Sequence, residues 1–282
     1  MNLLACRRHL PFFFSAMLVV STGPAFAQEA PAPNLLSNAA GYTAVPLQKE
    51  IKDELGALTA MSNTVFKPKG QGPFPAVVLL HTCGGIRPPH IRQHAGELLA
   101  AGYAVLILDS HGPRGFDTCR KKPIPFAVGV LDAYAGLAHL AALPMVNKDR
   151  IYLAGYSYGG SVAALLASPQ SATTFGSPLR FRATVAHYTH CVRPSRARLL
   201  LADTDRPVLM LMGQSDTETP PASCFPLIEE LRAAGAPVKW HIYPGMTHGW
   251  DKQGEASNGY VYDEEAALDA TRRMLEFLDD NK

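Results

Sequence analysis

An α/β fold, a mostly parallel sheet with helices on both faces in a single domain, is predicted by three features of the sequence. Short runs that are apolar at every position recur along the chain, among them Ala76-Val77-Val78-Leu79-Leu80, Ala104-Val105-Leu106-Ile107-Leu108 and Ile151-Tyr152-Leu153-Ala154. Continuous runs of that length suit strands buried on both faces, whereas a half-exposed strand would alternate. Stretches of helical length separate them, and glycine- or proline-bearing turns punctuate the alternation. With 282 residues, 47% of them hydrophobic, the chain can bury one large core.

The first 27 residues stand outside this pattern. Arg7, Arg8 and His9 are basic, Leu10 to Ser21 is apolar, and Ala25-Phe26-Ala27 is a small-x-small cleavage sequence. Together they predict a cleaved export signal, because the apolar run is shorter than the roughly 20 residues a membrane-spanning helix needs. The Arg7-Arg8 pair leaves open whether export is general or twin-arginine. Removing those 27 of the 282 residues leaves 255, with 24 basic side chains against 24 acidic, and four cysteines of the original five. A periplasmic or secreted protein without a stable membrane anchor is expected, and the neutral balance argues against nucleic acid as a partner.

Residues 28–54 are rich in Ala, Pro and Asn without periodicity, and an extended arm is expected there, followed by the domain proper over 55–282. A strand is expected over Leu58–Phe66, the buried strand Ala76–Leu80 next, a helix over Ile91–Ala101 closed by Gly102, and the strand Ala104–Leu108. A long helix follows over Pro125–Leu143, then the strand Ile151–Ala154 and a helix from Ser157 to about Ala167. Strands at Ala183–His187 and Val208–Met212, a helix at Pro221–Ala234, a strand at Val238–Tyr243 and a helix over Asp263–Asp279 complete the chain. Right-handed crossovers put the loop after every parallel strand along one edge, where chemistry is expected.

One such loop carries Gly155-Tyr156-Ser157-Tyr158-Gly159-Gly160 between a strand and a helix. A G-x-S-x-G sequence in that context predicts a sharp turn that lifts the serine hydroxyl above the sheet, with glycines where a Cβ would clash. Ser157 is the candidate nucleophile; an incidental N-cap in a glycine-rich turn is the plainer alternative. A serine needs a base, and in this arrangement the chain order is Ser, acid, His. His248, in the loop Pro244-Gly245-Met246-Thr247-His248-Gly249-Trp250, is favoured over His241, which falls inside a strand. Asp216, just past the strand ending at Met212 and Gly213, is favoured as the acid over Glu218, Asp205 and Asp203.

An oxyanion hole would take one donor from the Tyr158 amide and a second from His81-Thr82-Cys83-Gly84-Gly85, with the Cys83 amide first choice and Thr82 second. No C-x-x-C or H-E-x-x-H spacing occurs, and His187, His190 and Cys191 lack a fourth ligand, so neither a metal nor another cofactor is expected.

These segments, with Asp109-Ser110-His111-Gly112-Pro113-Arg114-Gly115, Gly213-Gln214-Ser215-Asp216 and Thr247-His248-Gly249, resemble the dienelactone hydrolase family of α/β-hydrolases over roughly residues 55–280. The resemblance implies an α/β-hydrolase fold and hydrolysis of a small-molecule ester or lactone without a cofactor. The typical family member has a cysteine nucleophile and a glutamate after the oxyanion-loop histidine. Ser157 and Thr82 stand at those places here, as in an exported serine-esterase branch of the family.

Cys83 and Cys119 follow neighbouring strands, as do Cys191 and Cys224, so the pairings Cys83–Cys119 and Cys191–Cys224 are favoured among the three available. Arg114 and Trp250 flank the expected site and are candidates to hold a substrate carboxylate or an aromatic acyl group. Two other classes share the pattern. One is a peptidase of prolyl-oligopeptidase type, although 255 residues leave no room for a propeller domain. The other is a binding module that keeps the fold without catalysis.

Overall fold

The computed structural model describes residues 35–57, 60–120, 122–193, 195–253 and 259–282; the expected export segment and residues 28–34 lie outside them. Eight strands form one sheet. In chain order these are β1 (Ile51–Lys52), β2 (Thr64–Phe66), β3 (Phe74–Leu80), β4 (Ala104–Leu108), β5 (Val146–Tyr156), β6 (Thr184–His187), β7 (Val208–Gly213) and β8 (Val238–Tyr243). Their spatial order is β1-β2-β4-β3-β5-β6-β7-β8, and every pair is parallel except β2 with β4. The chain leaves β3 for β4 on one side and returns past it to β5 on the other, so the loops after β3 and β5 border the crevice where such sheets bind ligands.

Among the described residues there are six α-helices: α1 (Pro89–Ala100), α2 (Phe126–Ala141), α3 (Tyr158–Leu166), α4 (Pro169–Phe175), α5 (Phe225–Ala233) and α6 (Glu264–Asp280). The strands divide their side chains by parity. Val77, Leu79, Val105, Ile107 and Val185 pack with Ile91 and Leu98 of α1 and Met274 and Phe277 of α6. Val78, Leu80, Leu106 and Leu153 face the other way, onto Val130 and Leu137 of α2 and Val162 and Leu166 of α3. Both sets are buried, which is why these strands read as unbroken apolar runs.

Several elements differ from expectation. Of the strand expected over Leu58–Phe66, residues 58 and 59 lie outside the described residues, residues 60–63 form a turn, and the strand is Thr64–Phe66. Asn63 before it takes a positive φ of 53° and spends its side chain on the Asp109 backbone, accepting from its N–H at 2.8 Å and donating to its carbonyl at 3.2 Å. The arm is not simply extended, since Leu35–Ala39 forms a 3-10 turn, Ile51–Lys52 joins the sheet, and Leu36 and Val45 are buried in the core. Helix α4 stands where no helix is expected; Ser168 caps it by accepting from the Gln170 N–H, and Pro169 occupies its first turn. Among the described residues, no helix is long and apolar enough to cross a membrane.

Candidate active site

The end of β5 turns into α3 at Ser157, whose backbone is forced to φ 52°, ψ −105°. The surrounding glycines are steric requirements. A Cβ on Gly155 would lie 2.0 Å from the Gly159 carbonyl oxygen, and one on Gly159 would lie 2.3 Å from that of Leu80. The turn is fixed from both sides, because the Ser157 N–H donates to the His187 carbonyl at 3.0 Å and the Gly159 N–H to that of His81 at 3.1 Å. The hydroxyl therefore stands at the start of α3, where unpaired amides and the helix dipole favour negative charge.

Opposite it, the loops after β7 and β8 meet. Gly213 lies so close to the second loop that a Cβ would sit 2.5 Å from the Met246 carbonyl oxygen, and the Ser215 N–H donates to that same oxygen at 2.9 Å. This contact brings His248 and Asp216 together. His248 Nδ1 is 2.8 Å from Asp216 Oδ2 and its Nε2 is 2.9 Å from Ser157 Oγ. A carboxylate only accepts, so Nδ1 carries the proton and Nε2 is left to receive the one Ser157 donates. The Asp216 carboxyl is further tied by the Glu218 and Thr219 amides at 2.9 and 2.8 Å and by the Thr219 hydroxyl at 2.6 Å. Burial alone would raise its pKa, but the hydrogen bond and charge of His248, with those from Thr219, bring it below the usual carboxylate value.

The other acid and base candidates are engaged elsewhere. Asp203 accepts from Ser168, and Asp205 pairs with Arg180. Glu218 is exposed and its Oε2 approaches His248 only at Nε2, at 3.8 Å. His241 lies along β8 with its ring against Tyr243.

On the nucleophile's other side, the Thr82–Gly85 turn is closed by the Gly85 N–H to Thr82 carbonyl bond at 3.1 Å, and the Thr82 hydroxyl accepts from the Gly84 N–H at 3.1 Å. Buried His81 braces this turn. Its Nδ1–H donates to the Thr82 carbonyl at 2.6 Å, and its Nε2 accepts from the Ser110 N–H at 3.0 Å, an arrangement that needs the neutral ring. Burial lowers the His81 pKa in the same sense. Thr82, Cys83, Ser157, Tyr158 and His248 all line one cavity of about 820 Å³.

Disulfides join Cys83 to Cys119 and Cys191 to Cys224, with Cα separations of 5.0 and 4.9 Å. The first lies in the cavity wall and is half-buried, while both cysteines of the second are fully buried.

Neither Arg114 nor Trp250 is among the residues that line this cavity. Arg114 grips buried Asp132 with two hydrogen bonds of 2.8 and 2.9 Å and donates to the Ser110 and Thr43 carbonyls, so its donors bind the arm to α2. Trp250 is fully buried against Tyr188 and Tyr243. Both side chains are engaged with other parts of the protein, Arg114 through its hydrogen bonds and Trp250 through its packing. Side chains that do line the cavity, and that the sequence did not single out, include Phe126 with Arg193 stacked over its ring, Arg120, and Thr219 beside Asp216. Thr219 alone had a readable signal, a hydroxyl three residues after the acid.

A strained serine between a buried strand and a helix, with a histidine and an acid supplied by the loops after the last two strands, defines an α/β-hydrolase. The profile of the dienelactone hydrolase family matches residues 61–281, and the chain belongs to that family, a carboxylic ester hydrolase. It is similar to proteins of Salmonella typhimurium (strain LT2) and Escherichia coli (strain K12), each named "Putative carboxymethylenebutenolidase". They are 27% and 26% identical over 256 residues, which cover 85% of this chain and 86% of each relative. Among solved structures, the "Putative Dienelactone Hydrolase" of Klebsiella pneumoniae superposes with a TM-score of 0.61 at 24% identity, covering 76% of this chain and 90% of that one. Apo esterase 2 of Thermogutta terrifontis gives 0.58 at 16% identity, covering 77% and 88%. At these identities the two structures speak for the fold.

Proposed function

We propose that this protein cleaves carboxylic esters or lactones through a covalent acyl-enzyme on Ser157, with His248 as base and Asp216 as its orienting acid. The observation that carries this reading is the unbroken line from Ser157 Oγ through His248 to Asp216, with steps of 2.9 and 2.8 Å, at a cavity able to hold a small ester. His248 takes the serine proton as Oγ attacks the carbonyl, and Asp216 stabilises the imidazolium that results. The amides of Tyr158 and Cys83 receive the developing oxyanion. The imidazolium then protonates the leaving alcohol, and a water activated by the same histidine releases the acid and restores Ser157.

Ser157→Ala is expected to lower turnover of p-nitrophenyl esters by on the order of 10⁶-fold, and a fluorophosphonate probe to label Ser157 in the native enzyme. Retention of most activity by the variant, or a native Ser157 that the probe never labels, overturns the assignment. Comparing an amide with an ester of the same acyl group separates this reading from a peptidase, and a panel of short acyl, aryl and lactone substrates ranks the substrate class. The two disulfides support export to an oxidising compartment. Export with cleavage after Ala27 predicts a mature chain beginning at Gln28, which N-terminal sequencing reads directly.

A further inference from the structure

We propose that Tyr188 and Asp251 are positioning residues that hold His248 in register with Ser157, anchored by a buried ion network beneath the cavity. The inference rests on the hydrolase reading above, in which His248 is the base. Asp251 lies three residues beyond His248 on the same loop and is 1% exposed. The Tyr188 hydroxyl donates to it, lying 3.0 Å from Oδ1 and 3.2 Å from Oδ2. The Tyr188 ring meets that of His248 edge to face, with centroids 5.0 Å apart and planes at 69°.

Tyr188 also belongs to the nucleophile's side. It directly follows His187, whose carbonyl holds the Ser157 N–H at 3.0 Å, and its own N–H donates to the Leu211 carbonyl at 2.8 Å. One fully buried residue is thus joined by its backbone to the turn that presents Ser157 and by its side chain to the loop that presents His248. It does so at a positive φ of 35°, a conformation an aromatic residue keeps only where its surroundings impose it.

What imposes it is rigid. His94 on α1 faces Asp251 Oδ2 through Nε2 at 2.9 Å and Glu97 Oε2 through Nδ1 at 3.0 Å. Both partners are carboxylates, so the ring holds both protons as an imidazolium. Glu97 Oε2 in turn accepts from the Thr271 hydroxyl of α6 at 2.9 Å, which ties the network to two helices. Asp251 is therefore fixed from the core side, and Tyr188 transmits that fix to both halves of the site. Proton transfer from Ser157 needs hydrogen-bond reach, and a displacement of about 1 Å can cost on the order of 10²-fold in rate.

The test uses the full chain carrying Tyr188→Phe, which keeps the ring and removes the donor, Asp251→Asn, which keeps the shape and removes the charge, and the double variant. Turnover of a p-nitrophenyl ester is measured per Ser157 site titrated with fluorophosphonate, so misfolded protein does not count. Tyr188→Phe is expected to lower kcat per site about 10-fold and Asp251→Asn at least as much, with KM within about twofold of wild type. The double variant should be no worse than Asp251→Asn alone, because both changes remove one shared contact. Wild-type turnover per site in Tyr188→Phe overturns the proposal even if Asp251→Asn does not fold. So do losses that multiply in the double variant, or a fall confined to thermal stability or site number. Absence of any labelling in the wild type is a separate outcome, which removes the hydrolase reading and this inference with it.

Discussion

Two buried histidines of this protein, His248 and His94, each sit under 3 Å from an aspartate and yet are suited to opposite tasks. His248 has a carboxylate at Nδ1 and a hydroxyl at Nε2. Its second nitrogen can therefore accept a proton and give it back. His94 has carboxylates on both nitrogens. Burial works against its charge, but hydrogen bonds and charges from Asp251 and Glu97 prevail and push its pKa up to about 9. A ring so held is a fixed cation, useful as a strut and unsuited to shuttling protons. The environment of the second nitrogen separates a base from a brace.

The largest effect is expected at Asp216. Asp216→Asn replaces an obligate acceptor with a group that can donate, so Nδ1 no longer has to carry the proton and Nε2 no longer has to be free. Turnover should fall by about 10⁴-fold with the fold intact, measured as kcat beside an unchanged circular dichroism spectrum. Near-normal turnover would show that the carboxylate does not set the tautomer.

A smaller effect separates the two disulfides, one on the cavity wall and one in the core. Under mild native reduction, the half-buried Cys83–Cys119 bridge should open first, as read by alkylation and mass mapping. Turnover should then fall about 10-fold, because the loop bearing the Cys83 amide is loosened where it lines the cavity. Replacing buried Cys191 and Cys224 with serine should instead act on stability, costing about 2–5 kcal/mol in denaturant titration. An open Cys83–Cys119 bridge with full turnover would remove it from the machinery.

The gentlest probe is pH. His94 titrates near 9 when folded and near 6.5 when unfolded, so its stabilisation is complete below about 6.5 and is lost as pH rises through 9. The loss is on the order of 3 kcal/mol across that interval. His90 and His187 behave oppositely. Burial pulls both down to about 3, so the unfolded chain binds more protons and stability falls as pH drops below 6.5. Stability should peak near pH 6.5, and His94→Gln should flatten the alkaline side. An alkaline slope that survives this substitution would assign it to other groups.

Much of this was legible because steric necessity writes itself into sequence. Gly155 and Gly159 have no room for a side chain, and Ser157 between them follows an apolar strand, so the turn could be read before any coordinates. Asp216 and His248 were legible from chain order, since loops after parallel strands share one edge. The paired cysteines followed for the same reason. The partners of Arg114 and Trp250 were not legible, because nearness in sequence carries no direction. Asp132, which accepts a hydrogen bond from each terminal nitrogen of Arg114, is 18 positions away in the chain. Glu97 and Thr271, 174 positions apart, were invisible as partners.

The sequence by itself determined the layered fold, the sharp serine turn and the edge on which its partners gather, because each follows from local sterics, periodicity and strand direction. Only the tertiary structure decided which histidine can exchange a proton and which is locked as a cation. That outcome depends on the groups at both ring nitrogens, and folding brings those together from distant parts of the chain.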